Sequence, residues 1–240
     1  MNISDNYINP VSYTVIDRAS KEEQSGHFLG IVIPYFVIIS IFVGAMNVGI
    51  NITAGEKEKG TLSTLLVTQL TRSEVVTGKL ITLIIISTFS AILNIVGIVF
   101  AYNFAFRATG SELDLVVSMS GGWLIQMLVL LVLLAFIISG IVMLAGSFAR
   151  NIKEGNSYVM PAYMAVILIG VMSMSGAFSI STPMYLIPIL NVIFMLQDVL
   201  SLNAEAINFW MTVISSSIFG FLLNYMSVRL FQRESIIFRT

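Results

Sequence analysis

Four consecutive charged residues interrupt a chain that is otherwise strongly apolar from about residue 28 onward: Glu56, Lys57, Glu58 and Lys59. Such a run cannot lie in hydrocarbon and needs water and a protein partner. After Gly60, Thr61 is expected to cap a helix. Four leucines then recur at helical spacing and form one apolar face: Leu62, Leu65, Leu66 and Leu70. The stretch predicts a short amphipathic helix with a charged leader, suited to docking in a protein groove, although an interfacial anchor is the simpler alternative.

Groups for covalent or metal chemistry are scarce in this chain. It has no cysteine, and its single histidine, His27, precedes the first apolar segment. There is no phosphate-binding loop of the GxxxxGK[ST] type and no pair of histidines at metal-binding spacing. We therefore expect neither a catalytic residue nor a metal site, which disfavours an intramembrane protease.

The composition is that of a membrane protein. Of the 240 residues, 57% are hydrophobic and 10% are charged, with a mean hydropathy of +0.92. Soluble domains carry roughly a quarter charged residues. A formal net charge of −1 without a basic patch gives no reason to expect a nucleic-acid partner. An all-α integral membrane protein in contact with lipid is predicted.

Five apolar runs reach the length of about 20 residues that a helix needs to cross a bilayer. They cover residues 28–52, 80–106, 123–148, 158–178 and 209–231. The fourth is expected to begin just before Pro161, which suits a first helical turn. Residues 183–202 contain Pro183, Pro188 and Asp198 around an apolar stretch. These residues favour an outer re-entrant segment, and a sixth full span is the alternative.

The positions of lysine and arginine predict the orientation of the chain. Segments 53–79 and 150–156 and the tail after residue 229 carry basic side chains and are assigned to the cytoplasm. Five spans then leave the polar N-terminal segment, residues 1–27, outside the cell and the C-terminus inside it. Six spans would place residues 1–27 in the cytoplasm. The single membrane domain is predicted to cover residues 28–240.

No Asp, Glu, Lys or Arg lies in the interior of a predicted span, which disfavours a proton-coupled transporter. Small and polar residues instead follow helical stripes. Packing between helices is the more frequent role of such stripes, and we assign it to Ser216, Gly220 and Asn224 of the last span. The alternative for the first two spans is a polar path between two subunits, lined by Asn47, Asn51, Ser87, Ser90 and Asn94.

The charged loop also carries a family resemblance. Residues 54–79, AGEKEKGTLSTLLVTQLTRSEVVTGK, are similar to the signature of the permease subunits of type-2 ABC exporters, especially the sodium-extrusion branch. The match runs through the loop almost without gaps. Pro34, the neighbouring Gly44 and Ala45, and a proline-containing segment before the last span extend the resemblance.

The resemblance implies that the loop is a coupling helix seated in a cleft of a cytoplasmic ABC ATPase. That partner would bind ATP and Mg²⁺, and this chain would bind no cofactor. We expect Leu65 and Leu66 to be buried in the contact and Glu56 and Glu58 to lie at its charged rim. The full set of coupling residues is Glu56, Lys57, Glu58, Lys59, Gly60, Thr61, Leu62, Leu65, Leu66 and Arg72.

The resemblance further implies a bacterial cell membrane and a complex completed by a second copy or another membrane chain. Permeases of this type resemble half-transporters with six spans, and the first family helix with its outer domain has no counterpart here. Asn51, Ser63 and Gln69 stand where the family usually has Asp, Glu and Pro. The change at Asn51 argues against a cation role.

Short permeases of this kind resemble those that export modified or antimicrobial peptides or protect the cell against them. Peptide export or immunity is therefore the leading expectation. The alternatives are sodium or drug efflux, and a non-transporting assembly or immunity subunit that binds the ATPase.

Overall fold

The computed structural model describes residues 21–61, 71–108, 121–174, 182–201 and 203–231. All regular secondary structure in these residues is helical. In chain order the helices are Lys21–Ile52 (α1), Ala54–Glu58 (α2), Arg72–Ala108 (α3), Gly121–Phe148 (α4), Ile152–Met174 (α5), Leu190–Leu200 (α6) and Ala206–Phe231 (α7), with a 3₁₀ turn at Thr182–Leu186.

Five helices in the described ranges, α1, α3, α4, α5 and α7, are long and apolar enough to cross a membrane. The prediction of an all-α integral membrane protein is therefore confirmed. Most of the accessible apolar side chains lie along α3 and α7, where Phe100 and Phe221 are examples. Such surfaces suit contact with lipid chains.

The predicted start of the fourth span is wrong, because α5 begins at Ile152 and Pro161 lies inside the helix. Local capping explains the earlier start. The Asn151 side-chain oxygen accepts a hydrogen bond from the Glu154 backbone N–H at 2.8 Å. The helix is thus initiated by Asn151, and Pro161 costs it one backbone hydrogen bond.

The second crossing helix also starts earlier than the apolar run, at Arg72. Thr71 and Glu74 form a capping box at this point. The Glu74 carboxylate accepts from the Thr71 backbone N–H at 2.8 Å, and the Thr71 hydroxyl oxygen lies 3.4 Å from the Glu74 backbone nitrogen. The reciprocal bonds satisfy helix-end donors that would otherwise lack partners.

Helix α4 is central, because it packs against α1, α3, α5 and α7. Its Leu130, Leu134 and Ile138 are completely buried. Small residues allow close approach: a Cβ added at Gly140 would lie 3.0 Å from the Leu223 side chain of α7. Close contact between backbones is the usual basis of helix association in lipid.

The two ends of the bundle differ in what they carry. Gly30, near the start of α1, lies against Gln197 and Ser201, which follow the 3₁₀ turn. At the other end of α1, the Ile52 carbonyl accepts a hydrogen bond from Lys79. We call the first end, with residues 182–201, the hairpin end, and the second, with residues 53–61, 71–79 and 147–154, the charged end.

The segment between α5 and α7 does not form a sixth crossing helix in its described part. Helix α6 has 11 residues, or about 16 Å at 1.5 Å per residue, against a hydrocarbon thickness of about 30 Å. It follows the 3₁₀ turn through Ile189, whose φ of 74° is unusual for a β-branched residue. This broken hairpin is compatible with an outer re-entrant segment, which stays a prediction.

Candidate functional site

The corner between α1 and α2 is buried at the charged end. Thr53 occupies the corner, and its hydroxyl donates to the Gly49 carbonyl at 2.6 Å. A Cβ added at Gly146 of α4 would overlap that hydroxyl, and one added at Gly155 of α5 would lie 2.9 Å from the Ile50 side chain. Two glycines thus allow α4 and α5 to hold the corner tightly.

Lys57 lies at the carboxyl end of α4. Its ammonium group donates to the carbonyls of Ser147 and Ala149, the latter at 3.3 Å. Carbonyls at a helix C-terminus lack partners within the helix and carry partial negative charge. A lysine here therefore satisfies acceptors and opposes the helix dipole.

Glu58 lies at the amino end of the next helix. Its carboxylate accepts from the backbone N–H of Ile152, the first residue of α5, at 2.8 Å. Only residues 149–151 separate α4 from α5, so a negative and a positive helix end lie side by side. The order Lys57 then Glu58 matches the order of those two ends.

Glu56 forms an ion pair with Lys79 of α3. The same ammonium group donates to the carbonyl of Ile52, the last residue of α1, at 2.6 Å. It also lies 5.9 Å from the centroid of the Phe231 ring, which ends α7 in the described structure. Lys79 is buried, so one side chain joins α2, α3 and the ends of α1 and α7.

These contacts give the charged run partners within the chain, in addition to its predicted role in contact with another protein. The sequence places Glu56 and Glu58 at the rim of a contact with another protein, whereas the structure gives both carboxylates partners in the same chain. Glu56 is half-buried, while Glu58 keeps an exposed surface.

Gly60 lies in a turn that follows α2. Its φ of +71° suits glycine, and its N–H donates to the Lys57 carbonyl at 3.1 Å. Lys59, Gly60 and Thr61 are all exposed. The Thr61 hydroxyl donates back to the Glu56 carbonyl at 3.3 Å. The predicted anchors Leu62, Leu65 and Leu66 lie outside the described residues. The described structure resumes at Thr71, immediately before Arg72.

The polar residues predicted to line a path are not gathered on one surface of the single chain. The Ser90 hydroxyl donates to the Ser40 carbonyl at 3.3 Å, and a Cβ added at Gly44 would lie 3.2 Å from Ser90. Ser87 is fully buried. These residues belong to the contact between α1 and α3.

Asn47 and Asn51 lie elsewhere on α1. Both are exposed in its last two turns, and the Asn51 amide donates to the Asn47 carbonyl at 2.6 Å. Asn94 is partly buried in α3, and its side-chain oxygen makes no hydrogen bond within the described residues. A surface that includes all five residues would need another chain or a change in the α1–α3 contact.

The three polar and small residues of α7 lie in helix contacts. Ser216 donates to the Asn191 side-chain oxygen at 3.2 Å. A Cβ added at Gly220 would overlap the Phe136 ring, and the Asn224 amide donates to the Phe136 carbonyl at 3.0 Å. All three are buried, and the packing role stays a prediction.

Sequence reasoning misses the roles of Lys79, Gly146 and Gly155. Lys79 is separated from Glu56 by 23 positions, and no local pattern indicates that they meet. The helix starts could have been found, because Thr71–Glu74 and Asn151–Glu154 both have the spacing of N-terminal capping pairs.

Comparison with known proteins gives a family and one curated relative. The model of the ABC-2 family transporter protein matches residues 1–229. The chain is 26% identical over 197 residues to the ABC transporter permease protein NatB of Bacillus subtilis (strain 168), covering 75% of this chain and 47% of NatB. It thus spans about half the length of that relative. No solved structure gives a significant match.

Proposed function

Because the chain belongs to the ABC-2 family of transporter proteins, we propose that it is the membrane permease subunit of an ATP-driven export complex. A separate cytoplasmic ABC ATPase binds and hydrolyses ATP with Mg²⁺. The charged end faces that ATPase in the cytoplasm of a bacterial cell, and the C-terminus lies on the same side. A second copy or another membrane chain completes the complex.

The observation that carries this proposal is the position of the two described ends of the family-like loop. Gly60 and Thr61 before residues 62–70, and the Thr71–Glu74 capping box after them, all belong to the charged end, next to the anchored α2. Fixing both ends of the loop in this way lowers the conformational cost of binding a partner there.

The apolar face of the loop is the proposed ATPase contact. Leu65 and Leu66 fill the groove, and truncation of such central anchors commonly costs more than about 1 kcal/mol each. Lys59 and Thr61 border the contact through their exposed surfaces. The Lys59 charge then steers and orients the ATPase more than it holds it.

The variant Leu65→Asp with Leu66→Asp tests this contact. We expect normal membrane insertion and loss of co-purification with the ATPase, because two carboxylates cannot enter an apolar groove. Thr64→Asp with Thr68→Asp adds the same charge to the other faces of the predicted helix and is the matched control. Wild-type recovery of the ATPase with the leucine variant would overturn the docking assignment.

The cargo is proposed to be a small peptide. Asn47, Asn51 and Asn94 offer hydrogen bonds among apolar side chains, and Ser87 and Ser90 would join them if α1 and α3 separate. A peptide can use such isolated amides, whereas a dehydrated cation needs several strong oxygen ligands.

Reconstitution with the ATPase separates peptide from sodium as cargo. We expect ATP turnover to respond to a co-encoded peptide and to ignore Na⁺ at constant ionic strength. Asn47→Leu should weaken the response to peptide. Saturable stimulation by Na⁺ that Asn51→Leu removes, with no response to peptide, would contradict the peptide proposal and favour sodium efflux.

A further inference from the structure

We propose that Glu56, Lys57 and Glu58 form a clamp that fastens the coupling loop to the ends of all five long helices, so that motion of the loop reaches the whole bundle. The proposal rests on the proposed function, because it is the ATPase that would move the loop. It changes the role of these charges from recognition of the partner to transmission within the chain.

The first support is the match of sign at each helix end. Lys57 meets the carboxyl end of α4, and Glu58 meets the amino end of α5. Lys79, paired with Glu56, meets the carboxyl end of α1. Each charge opposes the partial charge of the helix end that it contacts. A run of alternating charges placed only for contact with a partner would have no reason to match two successive helix ends in sign and order.

The second support is that three consecutive residues reach every long helix. Lys57 contacts α4 and Glu58 contacts α5 directly. Through Lys79, Glu56 is joined to α3, to the end of α1 and to Phe231 of α7. A displacement of this segment must therefore move or strain the ends of all five helices.

The third support is the tight packing beneath the clamp. Helix α2 has only five residues and follows α1 after Thr53. Gly146 and Gly155 leave no free space around Thr53 and Ile50. Packed interfaces of this kind shift between discrete arrangements and do not deform smoothly, so little loop motion would be absorbed before it reaches the helices.

An exchange of two neighbouring charges tests the clamp. The variant Lys57→Glu with Glu58→Lys keeps composition and net charge but reverses both signs against α4 and α5. We expect normal insertion and ATPase co-purification, retained ATP hydrolysis, and a fall of at least about fivefold in peptide transported per ATP, the lower range of typical coupling between sites. Loss of stability alone would lower hydrolysis and transport together and leave their ratio unchanged.

Three further variants complete the test. Lys153→Glu reverses an exposed charge at the same end and should leave the ratio unchanged. Lys57→Arg keeps the positive charge and should also leave the ratio of transport to ATP hydrolysis unchanged. If the exchanged variant fails to fold, Glu58→Gln, which keeps an acceptor but loses the charge, should lower the ratio in the same direction by a smaller factor.

If the exchanged variant transports as much peptide per ATP as the wild type, the clamp proposal is wrong. If the exchanged variant does not fold, an unchanged amount of peptide per ATP in Glu58→Gln would also show that the proposal is wrong. Failure of the wild-type chain to bind an ABC ATPase would instead overturn the proposed function. The two failures are distinguishable because the first appears only in the variants.

Discussion

At the charged end, ion pairs and charged caps fasten α2 to helix termini, whereas at the hairpin end mainly neutral groups hold the 3₁₀ turn and α6. The Asn191 amide donates to the Ser216 hydroxyl at 2.9 Å, and the Ser215 hydroxyl donates to the Leu186 carbonyl at 2.6 Å. Asn191 is fully buried, while Glu58 is exposed.

This difference separates stability from coupling. Neutral hydrogen bonds in a buried site leave costly unpaired groups when one partner is removed. Charges near water are screened, so the caps that Lys57 and Glu58 supply should contribute only about 0.3–1 kcal/mol each. The neutral contacts of the hairpin end should therefore contribute more to the free energy of unfolding than these two caps, whose main effect should be on how loop motion is passed on.

The largest expected effect is at Asn191. Replacement with Leu removes bonds to Ser216 and to the Val192 backbone and leaves their polar atoms unpaired. We expect a loss of about 3 kcal/mol in the free energy of unfolding, measured by denaturant titration in detergent. Asn203→Leu, in an exposed loop, is the control. If Asn191→Leu lowers the free energy of unfolding by less than about 1 kcal/mol, the neutral contacts at the hairpin end do not contribute more to stability than the charged caps.

The next effect tests packing at the charged end. Gly146→Ala places a methyl group on the Thr53 hydroxyl and should cost about 2 kcal/mol. Thr53→Ala with Gly146→Ala removes part of the overlap, so the double variant should be less unstable than the sum of the two single variants. If the losses of stability in the two single variants simply add in the double variant, as measured by thermal unfolding, the two residues are not in steric contact.

A smaller effect concerns pH at the hairpin end. Burial raises the pKa of the Asp198 carboxyl above its ordinary value of 3.8, with a further increase from Glu205 and a partly opposing hydrogen bond from Tyr185. The folded state then binds a proton more readily than the unfolded state. Stability should rise as pH falls from about 7 toward the ordinary aspartate pKa. In Asp198→Asn this part of the pH dependence of the melting temperature should disappear.

The smallest effect is the response of stability to salt. Lys57→Met with Glu58→Gln should lower the free energy of unfolding by about 1 kcal/mol or less at low ionic strength. That difference should shrink at about 1 M salt, where the Debye length is about 3 Å. The loss in Asn191→Leu should not change. Equal salt dependence at the two ends would contradict the assignment of charged and neutral contacts.

The five crossing helices could be predicted from the sequence because apolar length determines them. Pro183 and Pro188 also indicated a break before the last helix. The start of α5 was not predicted, because Pro161 suits a first helical turn whereas the helix is capped at Asn151, seven residues before the predicted start at residue 158.

The clamp could not be predicted from the sequence alone. The alternation of Glu56, Lys57 and Glu58 is visible, but the helix ends that it matches come from residues 147–152, about 90 positions later. A charge pattern in the sequence does not identify its partner when that partner is a backbone carbonyl or N–H, because almost every residue carries these groups. The same limit applies to Asn191 and Ser216, whose contact depends on how the hairpin folds back on α7.

If the clamp is rigid, the start of the coupling loop and the start of α5 move together. The chain has no cysteine, so spin labels at Thr61→Cys and Lys153→Cys report one distance in the reconstituted complex. We expect the same narrow distance distribution with and without ATP, and a broad distribution when Lys57 and Glu58 are exchanged. A distance distribution in the wild type that shifts or broadens with ATP would contradict the clamp. A distribution that stays narrow when Lys57 and Glu58 are exchanged would contradict it as well.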